Sequence, residues 1–467
     1  MRAFLAEGSR MKSRVGSVYS VPKEWLGSRA TEDLKEVMTM VPKTAFGSAQ
    51  AESFKVWSED AEYLHLPRFY GLQNYGPAMF DDRVDGDLIQ DVAFVGTLFA
   101  VQERAVETLS KTCFSSAGSG GGIVSIPCGS GKTVLAVYFI TKVLKRKACI
   151  LVHKAVIRDQ WKAAFERFCP GIRVGVLGGT KSEIDSVDVV IAMVLTVSMR
   201  DYDTSVFDSF GTVCADECHH LGAKVMSRAL TRFRARHVLG LTATKERPDG
   251  LTRLLHWSIG QEAFRAERDG GEKVRVTMAI FKPDASKECL NREGKPVLSI
   301  MLNRIAVDAT RNRFISSWVS DKRAQGRVVM VLSDRLVQLD ILRTMLVADG
   351  VAVTDIGVFR GSTPQREREE QLSRPVVLCS YGVANEGLDK READTCVMAT
   401  PKGRVVQCIG RIQRPCADKK PPLVLDVVDD FSVFSQLRWK RQTLYSREKY
   451  EFQTVNVPVD TRQTWFS

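Results

Sequence analysis

No stretch of this 467-residue chain reaches the roughly 20 consecutive apolar residues that cross a bilayer. The opening Met1-Arg2-Ala3-Phe4-Leu5-Ala6-Glu7 lacks the long apolar core of a secretory signal. Cysteine has no repeating spacing, and its count of 11 is odd. That argues against a disulfide framework and fits reduced thiols. Acidic residues are in deficit, 55 against 67 Lys and Arg, for a net charge of +12. The expectation is a soluble, intracellular protein with no membrane partner and a polyanion as its ligand. Hydrophobic content of 44% excludes extensive disorder. The length calls for two or three domains.

Residues 1–91 read as an accessory domain without nucleotide motifs, with DNA binding as one candidate role. Leu66-Pro67-Arg68-Phe69-Tyr70-Gly71 sits in it, its Pro and Gly read as turns and its aromatics as core. From 92 to 262, apolar strand-like runs alternate with helical patterns. They include Ile123-Val124-Ser125-Ile126, Cys149-Ile150-Leu151-Val152, Val174-Gly175-Val176-Leu177 and the run from Val187 to Ala192. That alternation predicts a parallel α/β sheet. Ser115 to Gly122 reads as a flexible connector. Residues 263–325 are less regular and read as a linker and the start of a second domain. The alternation resumes over 326–436, in Val328 to Leu332, Val376 to Cys379, Thr395 to Met398 and Leu423 to Leu425. A basic tail covers 437–467. Phe434 to Tyr450 is expected as a helix carrying Arg438, Lys440, Arg441, Arg447 and Lys449, with nucleic-acid contact as a candidate.

Pro127-Cys128-Gly129-Ser130-Gly131-Lys132-Thr133 joins a strand to a helix. Gly129 and Gly131 let the backbone wrap a phosphate, because no Cβ obstructs its approach. Lys132 is placed to reach the β- and γ-phosphates, and the Thr133 hydroxyl to meet Mg²⁺. Ile126 stands where the strict phosphate-loop pattern has its first Gly. Asp216 and Glu217 end a strand and divide two tasks, metal holding and polarising the attacking water. Cys214, Cys218, His219 and His220 admit a rival, zinc-type reading. Gln102 offers an amide that could pair with adenine. Thr242 and Thr244 offer hydroxyls between nucleotide and polymer. In Gln407-Cys408-Ile409-Gly410-Arg411-Ile412-Gln413-Arg414 the two arginines are three apart, so a helix would put both on one face. Guanidinium groups there would stabilise charge developing on a γ-phosphate.

In this order and spacing the motifs resemble those of superfamily 2 helicases, over about residues 92–436. Ala384-Asn385-Glu386-Gly387-Leu388-Asp389 is similar to that family's motif V. Pro-Cys-Gly-Ser-Gly-Lys-Thr, Ala155 to Lys162 and Thr244 to Leu251 are similar to the XPB-like branch and its viral members. Two departures stand out. Pro248 replaces the Glu of an Arg-Glu-Asp motif, and Val101 replaces a Tyr before Gln102. The resemblance implies an α/β fold of two tandem RecA-like domains with parallel sheets, plus a small N-terminal domain. It implies ATP and Mg²⁺ as cofactors, with Gln102, Pro127 to Thr133, Gly387 and Asp389 around the nucleotide. Lys132, Asp216, Glu217, Gln407, Arg411 and Arg414 would be catalytic, and His219, Thr242 and Thr244 would couple the sites. Val156, Gln160, Trp161, Thr196 and Arg247 would line the nucleic-acid path. The implied partners are DNA ahead of RNA or a hybrid, and the transcription machinery. The implied setting is the nucleus, a viral replication compartment or a virion.

Overall fold

A computed structural model describes residues 12–42, 52–127, 129–219, 223–243, 251–266, 273–282, 284–361, 363–386, 390–403, 405–414 and 416–457. The chain divides into two compact units, Met1–Glu267 and Arg268–Ser467. None of the described helices is long and apolar enough to cross a membrane.

The first unit begins with short strands: β1 (Arg14–Val15), β2 (Val18–Pro22), β3 (Thr39–Met40), β4 (Phe54–Lys55), β5 (Ser58–Glu59), β6 (Tyr63–Pro67) and β7 (Phe80–Asp81). Five of them form one sheet in the order β5-β6-β2-β1-β7, and β3 pairs with β4. Helices α1 (Lys23–Val37) and α2 (Arg68–Tyr75) accompany them. Gly71, expected in a turn, lies inside α2. Burial explains the difference, since the face of Gly71 is pressed against the Tyr19 ring, where a Cβ would have no room.

Arg68 ties this module to the rest of the unit. Its buried guanidinium donates to Ala235 O at 2.6 Å and Phe233 O at 2.7 Å. Arg68→Ala is expected to lower the unfolding free energy by about 3 kcal/mol, because two buried carbonyls lose their donors. Urea denaturation of the full chain measures this, and an unchanged midpoint would remove Arg68 as the tether.

The main sheet of the unit contains β8 (Gly121–Ser125), β9 (Ala148–Val152), β10 (Val174–Gly178), β11 (Lys181–Ser182), β12 (Val189–Met193), β13 (Thr212–Ala215), β14 (His237–Thr242) and β15 (Glu262–Arg265). Their order is β11-β10-β12-β9-β13-β14-β8-β15, and all pairings but β10 with β11 are parallel. Its helices are α3 (Ala100–Lys111), α4 (Lys132–Tyr138), α5 (Ala155–Phe168), α6 (Val194–Met199), α7 (Ala223–Leu230) and α8 (Thr252–Ile259). Apolar strands such as Ala-Cys-Ile-Leu-Val in β9 are buried throughout, as a parallel sheet covered on both faces requires. The glycine run before β8 is no flexible connector. Gly121 opens the strand, and a Cβ there would lie 2.1 Å from the Phe69 ring and 2.3 Å from Ile259 O. Glycine is needed for close packing, not for freedom.

Residues 82–96 run across the amino ends of these strands, far along them from the phosphate loop. Val84 exchanges backbone hydrogen bonds with Arg234 and Arg236, and Asp87 with Ser209 and Lys147. Their carboxylates pair with basic residues beside the strands: Asp85 with Arg236, Asp87 with Lys147, Asp91 with Lys142.

The second unit contains β16 (Arg275–Phe281), β17 (Val329–Ser333), β18 (Ile356–Phe359), β19 (Val376–Ser380), β20 (Thr395–Met398), β21 (Leu423–Asp429) and β22 (Glu451–Asn456). The sheet order is β18-β19-β17-β20-β21-β16-β22, parallel at every pairing. Its helices are α9 (Leu298–Ala306), α10 (Ala309–Ala324), α11 (Leu336–Ala348), α12 (Gln365–Ser373), α13 (Tyr381–Glu386), α14 (Val406–Ile412) and α15 (Ser432–Arg447). Two buried arginines brace the sheet. Arg311 grips Asp429 with two bonds of 3.0 Å, and Arg441 donates to Asp426 at 2.8 Å. Arg441 therefore faces the interior of the second unit, not a polymer, because β21 supplies a buried carboxylate opposite it.

Candidate ATPase site

The phosphate loop follows β8, and Asp216-Glu217 follows β13, with β14 between them. Both emerge at the carboxyl ends of parallel strands, where open α/β sheets bind ligands. Gly129 (φ 87°) and Gly131 (φ 73°) take left-handed backbone conformations, which turn the loop into the start of α4. Cys128 lies outside the described residues.

Lys132 is the first residue of α4, and its side chain is nearly buried. Its Nζ lies 3.6 Å from Glu217 Oε1 and 3.5 Å from Ile126 O. Glu217 has a φ of 43°, a left-handed conformation uncommon for a residue with a side chain. The bond from Cys218 N to Leu241 O at 3.0 Å holds the turn in that shape. Glu217 Oε2 is 3.4 Å from His219 Nδ1, and the same nitrogen is 2.8 Å from Thr242 Oγ1. Lys132, Glu217, His219 and Thr242 thus form one contact chain across the carboxyl ends of β8, β13 and β14.

Asp216 is buried. Its Oδ1 accepts from Glu217 N at 2.9 Å and its Oδ2 from the Trp161 indole at 2.7 Å. Burial pushes its carboxyl above the usual carboxylate range. The adjacent Glu217 charge adds to that push, while Trp161 and Lys132 oppose it. Two carboxylates beside one lysine leave uncompensated negative charge. With the hydroxyl of Thr133 close in sequence to Lys132, that is an oxygen donor set suited to a hard divalent cation. The zinc-type reading fares worse. Cys214 and Cys218 are buried among apolar core residues, and His220 lies outside the described residues. Among the described residues no group of three His, Cys, Asp or Glu side chains could hold a metal.

Gln102 reaches the loop, not open space. Its Nε2 donates to Ser130 O at 3.1 Å and Gly131 O at 3.0 Å, while its Oε1 accepts from Phe99 N at 2.8 Å. A Cβ on Gly131 would lie 2.3 Å from that Nε2. Gln102 therefore braces the nucleotide loop through backbone carbonyls.

Trp161 requires a correction. Expected on the nucleic-acid path, it is 1% exposed and bound to Asp216. Its partner is 55 residues away in sequence, and no local pattern announces it. Val156 is half-buried and Gln160 exposed on the same helix. Thr196 sits on α6 between the exposed Leu195 and Met199. Thr244, Arg247, Gly387 and Asp389 lie outside the described residues.

In the second unit, α14 carries Gln407 and Arg411 but ends at Ile412. Arg414 follows in a bend, so the two arginines do not share a helix face. Pro415 accounts for this, because a proline disfavours helical backbone in the residue before it. Arg411 Nε donates to Ala384 O on α13 at 3.0 Å. Lys419, which carried no sequence signal, donates to Arg414 O at 2.9 Å and Arg391 O at 2.8 Å.

Residues 96–247 match the family described as type III restriction enzyme, res subunit. The chain is 27% identical over 461 residues to "Putative ATP-dependent RNA helicase L396" of Acanthamoeba polyphaga mimivirus, covering 96% of this chain and 87% of that protein. It is 27% identical over 377 residues to the DNA 3'-5' helicase XPB of Mycobacterium tuberculosis, covering 75% and 65%. Among solved structures it resembles S. cerevisiae Dbp5 bound to RNA and ADP BeF3. That match has a TM-score of 0.51 at 12% identity and covers 78% of this chain and 90% of the other. At that identity the likeness concerns the fold, which is that of two RecA-like domains.

Proposed function

We propose that this chain, an ATP-hydrolysing superfamily 2 helicase of the XPB and viral type, is a translocase that moves 3′ to 5′ along DNA in transcription or repair. One observation supports the ATP-driven part of the reading: the contact chain from Lys132 through Glu217 and His219 to Thr242. It links a phosphate-binding lysine to the end of β14, so a change at the nucleotide has a path away from it.

Thr133 and Asp216 would hold Mg²⁺, which supplies charge neutralisation at the phosphates. Lys132 would bind the β- and γ-phosphates, and Glu217 would take the proton of the attacking water. Gln102 would keep the loop in its phosphate-binding shape. Arg411 and Arg414 would come from the second unit, with Lys419 fixing the backbone that bears Arg414. Gln160, Val156 and Thr196 remain the proposed strand contacts of the first unit, joined by Arg247. Gly387 and Asp389 remain with the nucleotide, and Thr244 with the coupling.

Charge distribution bears on where the polymer lies. Residues 1–91 carry 11 Lys and Arg against 14 Asp and Glu, while 92–467 carry 56 against 41. We therefore assign nucleic-acid contact to the RecA-like units and a bracing role to the acidic N-terminal module. DNA is preferred over RNA or a hybrid, the transcription machinery is the proposed protein partner, and a viral compartment or the nucleus is the setting. A translocase that releases transcripts without separating strands is the second reading. Pro248 favours it, standing where the branch's DNA-opening motif has Glu.

ATPase stimulation by ssDNA, dsDNA and RNA, compared at one stated salt concentration, tests the proposal. DNA is expected to stimulate most, and Lys132→Ala to reduce turnover at least about 100-fold. Stimulation by RNA alone would overturn the DNA assignment. Turnover retained in Lys132→Ala would overturn the site.

A further inference from the structure

We infer that Trp161 is a positioning residue of the ATPase centre, fixing the Asp216 carboxylate for the divalent cation through its indole N–H. The inference rests on the reading of Asp216 as the metal-holding carboxylate. Trp161 lies on α5, 1% exposed, with its ring packed 5.9 Å from Phe165. Its Nε1 is 2.7 Å from Asp216 Oδ2.

An indole nitrogen only donates. It can orient a carboxylate oxygen without competing for the cation. Glu217 N holds the other oxygen at 2.9 Å. Each oxygen thus has one neutral donor, and the plane of the carboxylate is set while its negative charge is preserved. Each oxygen also keeps a lone pair for a cation or its water shell. Asp216 is buried and lies beside the like charge of Glu217, so a lost donor is not replaced by solvent. Glu217 N alone would leave Oδ2 able to turn away. The same bond joins the metal carboxylate to α5, which also carries the exposed Gln160.

A purely structural role would need the ring and not the nitrogen, which sets the experiment. Trp161→Phe keeps an aromatic ring and removes the donor. Site-specific replacement of the Trp161 indole by benzothiophene removes the N–H at nearly constant shape. Mn²⁺ binding in the presence of ADP is measured by electron paramagnetic resonance on the full chain, beside the Mg²⁺ dependence of ATPase activity and thermal melting.

Both variants are expected to weaken Mn²⁺ binding and raise the Mg²⁺ half-saturation about 10-fold. The melting point of the benzothiophene variant should stay near wild type. Wild-type Mn²⁺ binding by the benzothiophene variant would overturn the inference, whatever Trp161→Phe does. Asp216→Asn tests the underlying reading separately. If it binds Mn²⁺ as wild type does, the metal assignment itself fails.

Discussion

Glu217→Gln is expected to bind ATP and fail to hydrolyse it, with the single-turnover rate falling about 1,000-fold. The carboxylate sits between Lys132 Nζ at 3.6 Å and His219 Nδ1 at 3.4 Å. Glutamine keeps the shape and can still accept hydrogen bonds, but its amide cannot take a proton from water. The turn is held by backbone, through Cys218 N and Leu241 O, so the substitution should leave the local fold intact. Lys132 would also lose a negative neighbour, which leaves its charge more available to phosphate. Affinity for ATP should therefore hold or tighten slightly. Rapid-quench hydrolysis and binding of a fluorescent ATP analogue measure the two quantities. A wild-type hydrolysis rate would move water activation to another residue. Loss of binding would instead assign Glu217 to holding the loop.

The parts of this site that were legible in the sequence are those fixed by local chemistry. Gly129 and Gly131 announce a tight strand-to-helix turn, and both take positive φ just before α4 begins at Lys132. Asp216-Glu217 after an apolar run announces the strand end that bears it. The strands of both units were readable because a parallel sheet buried on both faces demands continuous apolar runs. What escaped depends on partners distant in sequence. β16 lies in the stretch 263–325 that reads as irregular, yet it pairs with β21 and β22. Its pairing is chosen by tertiary packing rather than by its own composition. Ser115 to Gly122 reads as flexible because small residues suit both linkers and close contacts, and only neighbours distant in sequence, such as Phe69 and Ile259 at Gly121, decide between them. Arg441 reads as part of a basic tail, yet it is 1% exposed because Asp426 compensates its charge. The resemblance puts Trp161 on the nucleic-acid path beside Gln160, and its bond to Asp216 depends on how α5 packs over β9 and β12.

Arg414→Ala is expected to leave ATP affinity within about threefold of wild type and to slow hydrolysis about 1,000-fold. The two arginines of the motif differ in structural load, which makes this the cleaner test. Arg411 fastens α14 to α13 through Ala384 O, so its removal loosens the second unit as well as subtracting a charge. Arg414 lies past the end of α14 and is anchored through its carbonyl by Lys419. That anchor survives a side-chain substitution. Arg414→Lys should recover less than a tenth of the lost rate, because an ammonium lacks the planar fork that grips two phosphate oxygens. Full recovery by lysine would mean that only a positive charge is needed there. A wild-type rate in Arg414→Ala would take the transition-state role from Arg414 and leave Arg411 to be tested against its effect on folding. If Arg414→Ala instead lost ATP binding, the residue would act in the ground state, and the second unit would contribute to holding the nucleotide rather than to its cleavage.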